Sequence, residues 1–280
     1  MNTAVVGLVI FVLGGAAPGA DPAPAKIPPI YPVITEVLFN VPQGSGGDAN
    51  KDGARSASGD EFVEIFNPTA GAIQLRGYRI VNRLAYSEPD VVKGVRFVFP
   101  EMLLPPGGVA VVFNGHDAKI EGPVGDSHKA PKGPNANFHG AMVFRMEFKG
   151  RATGFNNGGD FVALVSPDGK AIDVVAWGDS DPAPPSTALR VETVKAGVKG
   201  SVQRINAQAP MQEHRVINDE LFSPGAIPAP GVATAPAAAP GDAPADGAPA
   251  ATPAGDSPAP TPASTKPAPK AKPKTTPKQQ

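Results

Sequence analysis

Between residues 30 and 225 the chain alternates short apolar runs with turn residues. Residues 33–39, Val-Ile-Thr-Glu-Val-Leu-Phe, open the series with the β-branched and aromatic residues of a strand. Strand-like segments follow at 61–66, 73–81, 96–99, 109–113, 161–165, 171–177 and 201–205. No apolar period of 3.6 residues persists long enough for a full helix, so helix is expected only as short turns. Asn67-Pro68, Pro105-Pro106-Gly107-Gly108, Asn156-Asn157-Gly158-Gly159 and Pro167-Asp168-Gly169 are chain-reversal signals, the last a hairpin loop between two strands. Some eight short strands joined by Gly/Pro turns predict an all-β sandwich.

Two stretches break the spacing, residues 42–59 and 115–154. Both are long for loops of a compact domain, and loops of that length are where function or mobility concentrates. In the run ending at Trp177, alternation places Ile172, Val174 and Ala176 on one face and Asp173, Val175 and Trp177 on the other. The first set is expected in the core and the second over the loops at the rim, with Trp177 a packing residue rather than a ligand platform.

The ends differ in kind from the middle. An apolar run at 4–13 followed by small residues reads as a signal peptide over residues 1–20, with a linker at 21–29, so the protein is expected to be exported to the extracellular space, periplasm or cell envelope. Residues 226–280 contain no aromatic side chain and consist largely of Pro, Ala, Gly, Thr and Lys, which cannot bury enough surface to offset ordering, so a disordered tail is expected. Lys266, Lys270, Lys272, Lys274 and Lys278 make its end a modest polycation, able to contact anionic polymers in a salt-sensitive way.

Composition narrows the chemistry. The 280 residues include no cysteine, which excludes thiol catalysis, thiolate zinc sites and disulfides. A formal charge of −1 gives no global field toward nucleic acid or anionic membrane. The sharpest local motif is Asp48-Ala49-Asn50-Lys51-Asp52-Gly53, the first half of a calcium loop, with oxygen side chains at positions one, three and five and a glycine at six. Ala54 can offer its carbonyl, and Asp60 or Glu61 can close the sphere in a loop slightly longer than the helix-loop-helix type. The alternative is an Asp/Asn/Gly turn with no ion. His116, His128, His139 and His214 lack the pairing of a zinc hydrolase, and no Gly-x-Ser-x-Gly elbow or phosphate-binding glycine loop is present. Catalytic residues are therefore not expected.

The order of short motifs resembles the lamin-tail domain. It runs through Ile34-Thr35-Glu36-Val37, Asp60-Glu61-Phe62-Val63-Glu64-Ile65-Phe66-Asn67-Pro68, Leu75-Arg76-Gly77-Tyr78 and Phe97-Val98-Phe99-Pro100. It continues with Leu104-Pro105-Pro106-Gly107-Gly108, Asn156-Asn157-Gly158-Gly159-Asp160, Ile172-Asp173 to Trp177-Gly178, Gly200-Ser201-Val202-Gln203-Arg204 and Ser223-Pro224-Gly225. The resemblance implies an immunoglobulin-like sandwich over residues 30–225 that serves as a binding or scaffold module without catalytic residues. The insertion at 115–154 departs from the compact family form. The function expected is a non-catalytic, exported binding module, Ca²⁺-stabilised if the Asp48 loop holds an ion, with an unidentified protein or cell-surface partner. An accessory nucleic-acid or anionic-polymer binder acting through the lysine tail is the alternative, and a metal-dependent hydrolase using Asp48, Asp52 and the loop histidines is a third.

Overall fold

The computed structural model describes residues 26–28, 30–90, 94–115, 118–146 and 154–227. The chain divides into two compact units, residues 1–233 and 234–280, and every described residue belongs to the first. The expected signal peptide, most of the linker, His116 and the five tail lysines lie outside the described residues.

Strands β1 (Val33–Leu38), β2 (Phe62–Phe66), β3 (Ile73–Gln74), β4 (Arg79–Asn82), β5 (Arg96–Val98), β6 (Leu103–Leu104) and β7 (Val109–Phe113) form the first half. The second half adds β8 (Val124–Gly125), β9 (Met142–Arg145), β10 (Gly159–Val165), β11 (Ala171–Gly178), β12 (Arg190–Val194), β13 (Val202–Gln203) and β14 (Gln212–Glu213). Helix is confined to two five-residue turns, α1 (Arg83–Ser87) and α2 (His214–Asn218), and two 3₁₀ turns among the described residues. One sheet has the order β14-β13-β1-β2-β7-β9-β8, the other β12-β11-β10-β4-β5, and β3-β6 forms a small ribbon. The fold is an immunoglobulin-like all-β sandwich.

Alternation along each strand explains the core between the sheets. Ile34, Val63, Ile65, Val112 and Phe144 from the larger sheet meet Ile80, Phe97, Val162, Leu164, Val175 and Trp177 from the smaller. Val175 and Trp177, which alternation placed at the rim, lie in this core because both faces of β11 are covered: Trp177 stacks on Phe39 with centroids 4.0 Å apart, and its Nε1 donates to Asn156 O at 2.8 Å. The register of β1 on β2 shifts between Ile34 and Glu36, and this bulge lets both Ile34 and Val37 reach the core.

Three expectations change. The insertion is not a loop throughout: β9 pairs in parallel with β7, extending the sheet, because Met142-Val143-Phe144 supplies an apolar strand. The segment 73–81 is two strands broken at Gly77, whose φ of 81° no strand accommodates. Residues 61–66, Glu-Phe-Val-Glu-Ile-Phe, mix apolar and charged residues as a half-exposed strand would, yet Glu61 and Glu64 are 2 % and 0 % exposed. The outer face of the larger sheet is covered by a second apolar cluster in which Phe138 and Ala141 of the insertion, with Phe222, pack on Leu38, Phe62, Val111, Phe113 and Val143.

Candidate binding face

The Asp48 loop, between β1 and β2, and the insertion, between β7 and β10, are tied to each other. Lys51, at φ 59°, donates from Nζ to Asn137 O at 2.6 Å and lies 5.0 Å over the Phe138 ring. Lys119 N donates to Asp52 Oδ2 at 3.3 Å. At the base of the two segments Gly115 approaches Gly59 so closely that a Cβ on Gly115 would stand 2.7 Å from Gly59 O. The described parts of the two long loops thus meet in one surface.

Within the first loop the aspartates collect backbone donors. Asp48 accepts from Asp52 N at 3.1 Å and from Gly53 N at 2.9 Å, and Asp52 accepts from Ala54 N at 3.0 Å. Gly53, at φ 89°, takes the sharp turn that its place in the motif requires. Asp60 fastens the loop from below, accepting from Asn50 N at 3.0 Å and Ser56 N at 2.6 Å. Burial, with the Asp48 and Asp52 charges beside it, raises the Asp60 carboxyl above its ordinary value. Asp48, Asn50, Asp52, Ala54 and Asp60 therefore share one loop. Glu61 does not join them: its carboxylate accepts from Phe155 N at 3.0 Å and Asn114 Nδ2 at 2.8 Å, and burial pushes it up to about 8. Among the described residues no three His, Asp or Glu side chains are already drawn into a metal-holding group.

On the insertion a cleft of about 450 Å³ is lined by Gly122, Pro123, Val124, Lys129, Ala130 and Lys132. Its two charged walls are both lysines, so it favours an anionic occupant. His128 and His139 are exposed, His139 in the left-handed region at φ 53°, whereas His214 is fully buried.

Sequence reasoning missed the buried ionic groups. Asp173 faces into the sandwich and accepts from Ile34 N (2.9 Å), Arg190 Nε (2.8 Å), Arg190 Nη2 (2.5 Å) and Arg204 Nη2 (3.3 Å). Arg204 also bonds Glu192, whose other oxygen accepts from Met211 N at 2.7 Å. Glu61 and Glu64, paired in sequence, serve separate places: Glu64 accepts from Thr35 Oγ1 and Gly225 N, both at 2.7 Å.

The sequence profile of the Lamin Tail Domain matches residues 32–179. No curated protein matches the chain. Strands β12 to β14 lie beyond the matched region yet complete the two sheets within it.

Proposed function

The chain belongs to the lamin tail domain family, a family of non-catalytic immunoglobulin-like domains, and from that premise we propose that it is an exported binding and scaffold module. Its contact surface is the composite of the Asp48 loop and the insertion. The observation that carries this reading is the mutual fastening of the two longest loops through Lys51–Asn137 and Asp52–Lys119. A loop ordered against another loop meets a partner without the entropy cost of being fixed on contact. The lysine-walled cleft supports a partner that presents anionic groups, such as an envelope polymer or an acidic protein surface. Calcium at Asp48, Asn50, Asp52 and the Ala54 carbonyl, closed by Asp60, would relieve the repulsion among the three aspartates and stiffen the face. Asp60 takes the closing role here because Glu61 is committed to Phe155 and Asn114.

The test is binding of the purified full chain to isolated envelope material from the producing cells, beside Lys129→Glu/Lys132→Glu. Both lysines are exposed, so the variant should fold as the parent does. Saturable binding weakened about tenfold or more in the variant supports the reading. Binding that does not saturate, or that is equal in the two proteins, overturns it.

A further inference from the structure

Strands β1 and β2 set Glu36 opposite Glu64, and both side chains are 0 % exposed. Two carboxyl groups in one dry site repel when both are ionised. Their cover is the last described segment of the chain. Ser223 N donates to Glu36 Oε1 at 2.9 Å, and Gly225 N donates to Glu64 Oε2 at 2.7 Å. Gln203 Nε2 bridges the two sides, 3.2 Å from Glu36 Oε2 and 2.9 Å from Ala226 O. Gly225, at φ 95°, runs so close to Phe138 that a Cβ would stand 2.1 Å from the Phe138 carbonyl oxygen, so this segment fits only as it is.

Among the described residues the neighbouring elements bring no balancing cation. Ser201 Oγ donates to Glu36 at 2.5 Å and Thr35 Oγ1 to Glu64 at 2.7 Å, both neutral. His214 of α2 places Nε2 2.8 Å from Ser223 Oγ and 3.9 Å from Glu36, with Nδ1 facing the Glu220 carbonyl. Burial disfavours the charged form of His214. The guanidinium of Arg204, next to Gln203, is committed to Glu192 and Asp173.

We propose that Glu36 and Glu64 form a proton-dependent clasp on residues 223–226, closed while the pair holds a proton and opened when both are ionised. Opening gives the pair's remaining proton to solvent and hydrates both carboxylates. The sheet does not yield first, because β1 and β2 are interior strands paired on both sides, whereas residues 223–226 hang on these carboxylates and their immediate partners. Burial, with the Glu64 charge, raises Glu36 well above its ordinary value, and burial raises Glu64 to about 7. Raised folded values make the stabilisation complete below the ordinary 4.5 and lost as pH climbs through about 7. Residues 223–226 are thereby anchored to the sandwich in acid and freed from it in alkali.

Amide resonances of the full chain test this directly. The Gly225 amide should titrate with a midpoint near 7. Exchange protection of residues 221–226, corrected for intrinsic rate, should fall about tenfold per pH unit for each proton released on opening. Glu64→Gln keeps a carbonyl for Gly225 but cannot ionise, so its protection should fall less steeply. A Gly225 amide that does not titrate between about pH 5 and 9, or a Glu64→Gln chain that loses protection as steeply as the parent, overturns the clasp. So does a parallel loss in the hairpin of residues 166–170, which would make the event global unfolding.

Discussion

Replacing Asp173 by asparagine should be among the most damaging single changes available to this fold. Asp173 and Glu192 face Arg190 and Arg204 in a closed set, two acids against two guanidiniums, none more than 8 % exposed. Asparagine keeps the shape and removes one negative charge, leaving two guanidiniums with a single carboxylate. An uncompensated charge in such a place costs about 3–5 kcal/mol. For a domain of this size that corresponds to a fall of roughly 6–20 °C in the unfolding midpoint. Trp177 is the sole tryptophan and is fully buried, so its emission reports unfolding of the sandwich without a label. The pair Arg76–Glu101, 3.5 Å apart with both side chains 72 % exposed, is the internal control. Arg76→Ala should cost less than about 0.5 kcal/mol, since exposed pairs are screened by water. An apolar replacement of the whole network should not restore stability, because the guanidiniums also satisfy the carbonyls of Ile34, Ala207 and Ala209. If Asp173→Asn lies within about 1 kcal/mol of the parent, the guanidiniums are hydrated and the reasoning is wrong.

Three further outcomes are expected. At about 5 mM Ca²⁺ and a dissociation constant near 10⁻⁴ M, the full chain should gain about 2.3 kcal/mol over its state in EDTA. The gain should be absent from Asp48→Ala/Asp52→Ala, and an equal midpoint in EDTA and Ca²⁺ would make the loop a plain turn. Glu61, raised to about 8, gives stability that is complete below its ordinary 4.5 and lost as pH rises through 8. Glu61→Gln should therefore lose less midpoint than the parent between pH 6 and 9, and identical pH profiles would show that Glu61 stays ionised in the fold. Removing residues 266–280, with their five lysines, should abolish any salt-dependent retention on heparin, and retention by the truncated chain would place anion binding in the sandwich.

The strands that pattern made legible are those at the centre of the sheets. Residues 109–113 coincide with β7, and β1, β2, β10 and β11 lie within two residues of their expected limits, because β-branched runs bounded by turns leave little freedom there. The hairpin at Pro167-Asp168-Gly169 forms as its turn chemistry dictates, with Ser166 N donating to Lys170 O at 2.9 Å. The edge strands β8, β12 and β14 and the insertion strand β9 escaped, whereas the edge strand β5 lies within the expected 96–99. In β12, Arg190-Val191-Glu192-Thr193-Val194, the alternation runs backwards: Arg190 and Glu192 point in and Val191 is 39 % exposed. A charge at every second residue ordinarily marks the wet face of a strand, and only the arrival of Asp173 and Arg204 from elsewhere in the chain reverses that sense.

The same asymmetry separates the Asp48 loop from the buried acids. The turn of that loop was legible because its Asp, Asn and Gly residues lie within six consecutive positions, Asp48 to Gly53, and local spacing is what a sequence displays. Glu36 meets Ser223, 187 positions away, and nothing in its own strand distinguishes it from a solvated glutamate. What distinguishes it is the covering of the outer face by Phe138, Phe222 and Gly225, which turns a wet surface dry and makes each acid demand a particular donor. An apolar residue at position 36 or 64 would accept any greasy cover. A carboxyl group accepts only a segment that brings free backbone amides, and Ser223-Pro224-Gly225 offers two of them, at Ser223 and Gly225, around a proline that has none to spare. The acids therefore act less as sources of stability than as a filter on which stretch of chain can close the sandwich.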